Sequence, residues 1–320
     1  MTAASPAQAR PSALPQADAT PDGRRGLLLG LVAVTIFALG VPLTRLATGS
    51  ADAPQLPGPF VAFGRAVIAG AISIAYLVAT RAPWPDRADR RALAIIAGGG
   101  VIGFPLAMSV ALRYVESVHV SAVIGIVPLI TAVIGASPLA GRGLTGQRPT
   151  ARFWAVASLG SLLVMAFPFA RSGAGLHGVG WADLLLVGAT FLGATANVFG
   201  ARLARTMAAE RVGGWSCVFA LPVTVPLAIW FWPTVDASPA AWFGVAYVGV
   251  GTMWVGAFIW YRAMAIGGTV RVSQVLLVQP LIGMLFAVPI LGEILDLVTV
   301  GFGLAIMATV FIGRRLAPRG

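Results

Sequence analysis

Apolar stretches about as long as a bilayer is thick follow one another through almost the whole chain. The first covers residues 26–44. Nine more lie at 59–80, 92–112, 120–140, 153–170, 184–201, 213–234, 238–261, 272–292 and 297–313. An α-helix needs about 20 apolar residues to cross the hydrocarbon core of a membrane. The pattern predicts an all-α integral membrane protein with ten transmembrane helices.

The composition excludes the main alternatives to a membrane protein. Only 10% of the 320 residues are charged and 58% are hydrophobic, whereas about a quarter of the residues in soluble domains are charged. This excludes an ordinary soluble enzyme and a disordered protein. Residues 1–25 contain no apolar run and are predicted to form a flexible cytoplasmic tail. The run that follows is too long for a typical signal-peptide core, so we expect an uncleaved first span.

The arginines predict the orientation of the chain. All 22 basic residues are arginine. With the N-terminus inside, 18 of them fall in inner segments, three fall on the outer side, and Arg65 lies within the second span. Such an excess of basic residues in cytoplasmic loops sets membrane orientation. Both termini are therefore predicted to be cytoplasmic, and the net charge of +11 needs no nucleic-acid partner.

An internal duplication is visible when the sequence is shifted by 152 residues. Residues 120–130 then align with 272–282, and six of the eleven positions are identical. Each half would hold five spans, and an odd number of spans inverts the second copy relative to the first. The sequence therefore predicts two inverted five-helix repeats, at 26–170 and 181–316, joined by a linker at 171–180.

Two prolines occupy matching places in these repeats. Pro128 and Pro280 each lack an N–H and leave a carbonyl unpaired four residues earlier, at Ile124 and Leu276. Interrupted helices at corresponding positions of two repeats point to the substrate site of a transporter. We interpret the two prolines as hinges; the alternative is that each is a kink that serves only helix packing.

Polar side chains inside spans are costly to bury, so each is a functional hypothesis. Arg65 is a candidate for contact with a substrate carboxylate, and its alternative is to extend toward the interface or pair with a structural partner. Asn197 and Gln279 are candidates for the lining of a central cavity. Their alternative is a hydrogen bond that bridges two helices.

Three further residues complete the predicted substrate site. Trp254 lies deeper in its span than an interfacial tryptophan and could stack on an apolar or aromatic substrate, or could simply pack. Ser121 and Ser273 precede the two prolines by seven residues. Their alternative role is a hydrogen bond to a carbonyl of their own helix.

Catalytic, metal and cofactor chemistry is poorly represented. The chain has no lysine and one cysteine, Cys217, while His119 and His177 stand apart without ligand-like neighbours. We expect no enzyme activity, no metal and no cofactor. A polytopic enzyme that modifies lipid headgroups stays open as a less favoured alternative, because such chemistry needs converging acids, bases or metal ligands.

Four motifs together resemble those of the EamA type of the drug/metabolite transporter superfamily. They lie at 60–66, 111–114, 251–264 and 279–293, within a resemblance that covers residues 26–316. The first half departs from the family pattern at 139–142, where a Gly-Glu pair is common.

The resemblance implies a ten-helix transporter of the bacterial inner membrane. It would export small metabolites, such as amino acids or drug-like amphiphiles, by alternating access around a central cavity. A flippase for lipids or lipid-linked sugars is the alternative. The expected partners are a small-molecule substrate and the lipid bilayer; substrate, direction, coupling ion and the choice between monomer and homodimer stay open.

Overall fold

The chain is helical throughout the part that the structure describes. The computed structural model describes residues 21–136, 151–171 and 180–316, except for residues 205, 235, 268–271 and 273. Within these ranges the only β-type pairing is a single bridge between Gly49 and Pro54. The predicted all-α class is confirmed for the described residues.

Helices α1 to α6 occupy the first half of the chain. Their bounds are α1 Pro21–Thr48, α2 Gly58–Ala79, α3 Arg87–Ala111, α4 Ser117–Ile124, α5 Val127–Ala136 and α6 Ala151–Arg171. Helix α3 contains a π-helical stretch, Ala97–Gly103, between two α-helical pieces. Glycines at 98, 99, 100 and 103 lower the preference of this stretch for a regular α-helix.

Helices α7 to α11 occupy the second half. Their bounds are α7 Trp181–Leu203, α8 Ala209–Trp230, α9 (three consecutive pieces, Pro239–Ala246, the π-helical Tyr247–Gly256 and Ala257–Gly267), α10 Gln279–Leu291 and α11 Leu297–Leu316. A 3₁₀ segment, Gln274–Val278, directly precedes α10. The two π-helical stretches begin at Ala97 and Tyr247, and this separation is close to the shift of the predicted duplication.

Six described helices are long and apolar enough to cross a membrane. They are Gly23–Thr48, Gly58–Ala79, Arg87–Ala111, Trp181–Gly200, Ala209–Trp230 and Pro239–Trp260. Shorter apolar helices occur at Ser117–Thr131, Val275–Leu291 and Leu297–Ile312. The protein is therefore a multi-pass membrane protein, whereas the count of ten spans stays a prediction.

Short connections make successive helices run in alternating directions, so the bundle has two ends. We call the end with residues 80–86 and 204–208 the basic end, because arginines flank both connections. The end with residues 49–57, 112–116, 231–238 and 292–296 is the opposite end. Large side chains at the centre of the bundle, such as Leu129, Leu186 and Ile306, are fully or almost fully buried.

Glycines allow several helices to approach one another at backbone distance. A Cβ atom added to Gly99 of α3 would lie 2.8 Å from the carbonyl oxygen of Leu192 in α7. The neighbouring Gly98 has no atom within 4 Å of such a Cβ. The crossing of α3 and α7 therefore requires a glycine at position 99 but not at position 98.

This difference yields a stability prediction with an internal control. Gly99→Ala should destabilise the folded protein by about 1–3 kcal/mol, because a methyl group against a backbone carbonyl forces the helices apart. Gly98→Ala should be neutral or slightly stabilising, since alanine favours helical backbone. Thermal unfolding of the purified protein in one detergent measures both. Equal melting temperatures for the two variants would contradict the assigned crossing.

Candidate functional site

A partly open cleft lies between α2, α8 and α9 near the basic end of the bundle. It contains about 330 Å³ of space, part of which is continuous with solvent. Its lining comprises Ser73 and Tyr76 from α2, Glu210, Gly213, Gly214 and Cys217 from α8, and Met253, Trp254, Ala257 and Phe258 from α9. One helix of the first half thus faces two helices of the second half across the cleft.

An aromatic cluster forms one wall of the cleft. The rings of Trp254 and Phe258 are stacked, with centroids 5.9 Å apart and planes inclined by 14°. Tyr76 meets both rings edge-on, with centroids at 6.2 Å and 6.0 Å. Trp254, predicted from sequence as a substrate contact, therefore lies in the cleft beside two aromatic residues that sequence reasoning did not select.

Arg65 is buried between the same three helices. Only 7% of the residue is exposed, and its Nη2 donates a hydrogen bond to Thr252 Oγ1 at 2.9 Å. Its guanidinium lies close enough to the thiol of Cys217 for electrostatic interaction, and Cys217 lines the cleft. Arg65 thus extends into the protein, with Thr252 as a partner, rather than outward to an interface.

Helical spacing places Arg65 on the same face of α2 as two residues of the cleft lining, Ser73 and Tyr76. One face of α2 carries four residues at successive spacings of four, four and three positions: Arg65, Ala69, Ser73 and Tyr76. Ser73 is buried, and its hydroxyl lies beside the Cys217 thiol without a hydrogen bond of ordinary geometry. This spacing was present in the sequence and could have identified Ser73 and Tyr76 as companions of Arg65.

The other predicted site residues lie elsewhere or are not described. Asn197 is exposed on α7, and Gln279 is half-buried as the first residue of α10; neither lines the cleft. Ser121 is buried against α10, where a Cβ on Gly283 would lie 2.8 Å from the serine Oγ. Ser273 lies outside the described residues. Substrate contact by these four residues stays a prediction.

The two prolines stand where helices are interrupted. Helix α4 ends at Ile124, and Pro128 is the second residue of α5. Pro280 is the second residue of α10, directly after the 3₁₀ segment. A Cβ on Gly125, in the turn between α4 and α5, would lie 3.0 Å from Cγ of Pro280. The two interruptions therefore touch, and each proline begins a helix rather than kinking a continuous one.

Glu293 links the two halves of the chain at the opposite end. Its Oε1 accepts a hydrogen bond from the Ser117 backbone N–H at 2.8 Å. Its Oε2 accepts hydrogen bonds from the Ser117 hydroxyl at 2.9 Å and from the Val118 N–H at 2.8 Å. A carboxylate at a helix N-terminus pairs the free N–H groups and opposes the helix dipole. The corresponding stretch of the first half, 139–142, lies outside the described residues.

Two arginines tie α1 to α3 at the same end. Arg45, in the last turn of α1, donates to the carbonyl of Leu112 and, at 3.2 Å, to that of Val115. Arg113 donates back to the carbonyls of Thr48 and Leu56, at 3.3 Å and 3.1 Å. Each guanidinium thus pairs carbonyls that lie at or beyond a helix C-terminus. Glu293, Arg45 and Arg113 cross-link the opposite end, whereas the cleft lies near the basic end.

The protein has several membrane-spanning helices, and both halves of the chain contribute residues to the cleft between them. This arrangement is typical of a membrane transporter. The sequence profile of the EamA-like transporter family matches residues 24–164 and again residues 180–314. These two matches cover most of the chain. The protein therefore belongs to the EamA-like transporter family, as its motifs predicted.

A related protein agrees with this assignment, and a solved structure shares the fold. The chain is 36% identical over 296 residues to a protein of Bacillus subtilis (strain 168) that carries the name uncharacterized transporter YdeK. That match covers 91% of this chain and 98% of the relative. One crystal structure of a protein is similar over 92% of this chain and 99% of its own, with a TM-score of 0.60 and 20% identity. At that identity the similarity shows the fold alone.

Proposed function

We propose that the protein exports small metabolites, such as amino acids or drug-like amphiphiles, by alternating access. The observation that carries this proposal is the cleft between α2, α8 and α9, which has an aromatic wall and a buried arginine close to its lining residue Cys217. The family assignment supports transport, and no described group of residues suggests a metal site. Substrate would enter the cleft from the basic end.

The proposal includes ten spans in two inverted repeats, 26–170 and 181–316, joined by the linker 171–180. The twofold family match and the two π-helical stretches support it. It also includes the inner membrane as location, with the basic end in the cytoplasm. The conformation described here would then be open toward the cytoplasm and closed at the opposite end by Glu293, Arg45 and Arg113.

Paired hinges would allow the bundle to convert between its two states. Pro128 and Pro280 begin helices that meet at Gly125, so a change at one interruption alters the packing of the other. Neither proline supplies an N–H to the preceding turn, which leaves each interruption one helical hydrogen bond short. Inverted repeats that exchange conformations are the general basis of alternating access.

A transport screen tests the function itself. Cells or liposomes that contain the protein should move at least one compound from pools of amino acids, nucleobases and amphiphilic drugs. Trp254→Ala should change the rate or the selection of substrates by tenfold or more, because it removes a cleft wall. Trp242→Ala is the control, since Trp242 packs on Phe60 outside the cleft. Translocation of a fluorescent lipid without movement of any soluble compound would favour the flippase alternative.

The orientation can be measured with reporter fusions. Fusions after Arg90 and after Gly320 should report a cytoplasmic location, because both positions follow arginine-rich segments and an even number of spans separates the termini. A fusion after Asp52, in the connection between α1 and α2, should report the periplasm. A periplasmic signal at the C-terminus would refute the even number of spans.

The hinge proposal predicts opposite effects of two matched substitutions. Pro128→Ala and Pro280→Ala each restore a backbone N–H and should favour opposite states of the carrier. A bias of about 1.4 kcal/mol changes the ratio of the states tenfold. Alkylation of a single cysteine at position 210, in a Cys217→Ser background, reports the fraction open at the basic end.

Pro289→Ala provides the hinge control, because Pro289 lies exposed within α10 and not at an interruption. It should leave the accessibility of position 210 unchanged. Shifts in the same direction for Pro128→Ala and Pro280→Ala, or no shift while transport persists, would return both prolines to a packing role.

A further inference from the structure

The buried guanidinium of Arg65 has more hydrogen-bond donors than its described surroundings use. A guanidinium carries five N–H groups, and Nη2 has a partner in Thr252 Oγ1. Nε and Nη1 are buried without a hydrogen-bond partner among the described residues. A buried arginine is normally paired, because an unpaired charge away from water is strongly unfavourable. The Nε and Nη1 groups of Arg65 therefore lack a hydrogen-bond acceptor among the described residues.

The surroundings indicate the charge of the missing acceptor. Of the residues that line the cleft, Glu210 alone is charged, and it lies half-buried in the first turn of α8. Cys217, which neighbours Arg65, is seven residues further along α8, a rise of about 10 Å. The carboxylate of Glu210 is thus placed at the mouth and does not pair with Arg65. No described carboxylate pairs with Arg65, so a negatively charged acceptor is missing beside Cys217.

We propose that Arg65 binds the carboxylate of a small monoanionic organic acid whose apolar or aromatic body lies against Trp254, Phe258 and Tyr76. This inference rests on the proposed transport function and names its substrate class. A guanidinium suits a carboxylate because its planar N–H groups match the two oxygens. Aromatic rings suit the remainder of such a molecule, since they supply a large apolar contact area.

The same geometry disfavours a phosphate dianion and offers no specific contact to an α-amino group. A phosphate dianion would need further cations or backbone N–H groups, and the lining of the cleft offers no second cation. An α-amino acid carries its ammonium group only about 3 Å from its carboxylate. With the carboxylate at Arg65, that ammonium could not reach Glu210 at the mouth. The amino group should therefore add nothing to binding.

Cys217, the only cysteine of the chain, serves as a local reporter. The purified protein in detergent would be treated with two methanethiosulfonates of similar size, one with a sulfonate group and one with a trimethylammonium group. Each labelling rate is divided by the rate of the same reagent with a free thiol in solution, because a thiolate reacts intrinsically faster with the cationic reagent. Since Cys217 lines the cleft beside Arg65, this ratio should be about tenfold higher for the anionic reagent. Arg65→Gln should abolish this preference. Arg211→Gln, which removes an arginine of α8, the helix of Cys217, outside the cleft lining, should preserve it.

Protection of Cys217 measures binding of the proposed ligand class. Phenylacetate should slow the labelling by a neutral methanethiosulfonate, and the uncharged phenylacetamide should need at least a tenfold higher concentration for the same effect. Phenylalanine should protect no better than 3-phenylpropionate, which lacks the amino group. In Arg65→Gln the acid and the amide should become equivalent. Arg65→Lys, which keeps the charge, should retain part of the difference and serves if Arg65→Gln does not fold.

The outcomes separate the ligand class from transport. Equal protection by acid and amide in the unaltered protein would overturn the carboxylate site even if the screen detects transport. A normalised labelling rate that is higher for the cationic reagent would do the same. Selective protection by the acid supports the site, and it does so even if no compound in the screen is moved. In that second case the proposed transport function fails while the binding site stands.

Discussion

A helix within a membrane must pair its own backbone groups, and every interruption of a helix needs a partner from another element. The described bundle follows this constraint at its opposite end. Arg45 and Arg113 pair carbonyls at the ends of α1 and α3, and Glu293 pairs the first N–H groups of α4. The side chains that cross-link this end are therefore the same ones that satisfy the backbone there.

Close helix contacts determine where space is left. Glycines bring α3 against α7 at Gly99 and α2 against α8 at Gly70, where an added Cβ would lie 2.5 Å from Leu221. Nearer the basic end of α8, a Cβ added to Gly214 would be in ordinary contact with Leu77 of α2, at 3.5 Å. Helices α2 and α8 thus pack closely along their length, and the cleft lies where large aromatic residues of α9 meet them near the basic end.

The positions of helices could be predicted from sequence, because a long apolar run has few alternatives to a spanning helix. The family and the all-α class followed from the same runs and their motifs. The rotation of each helix could not be predicted in this way. Asn197 lies in α7, and this helix carries apolar residues on all sides, so nothing in its pattern indicated that the amide would be exposed outside the cleft.

Arg65 shows what a pattern within one helix can and cannot reveal. Its spacing to Ser73 and Tyr76 identifies a shared face of α2, but its partners Thr252 and Cys217 are more than 150 residues away in sequence. Only the packing of α8 and α9 on α2 brings these groups together. The helix break at Pro280 was likewise predicted, whereas its contact with Gly125 depends on the crossing of two interrupted helices.

A buried charge with too few partners also offers a way to couple binding to conformation. A ligand shifts the balance of two states only by the difference in its affinity for them. If the proposed carboxylate pairs with Arg65, it neutralises a buried charge beside the cleft. Closure of the helices over this neutral pair then costs less free energy than closure over the unpaired charge. Thr252 lies in the π-helical stretch of α9, and Trp254 lies in the same stretch. Binding at Arg65 would therefore act directly on the segment that forms the aromatic wall, which connects recognition of the substrate to closure of the cleft.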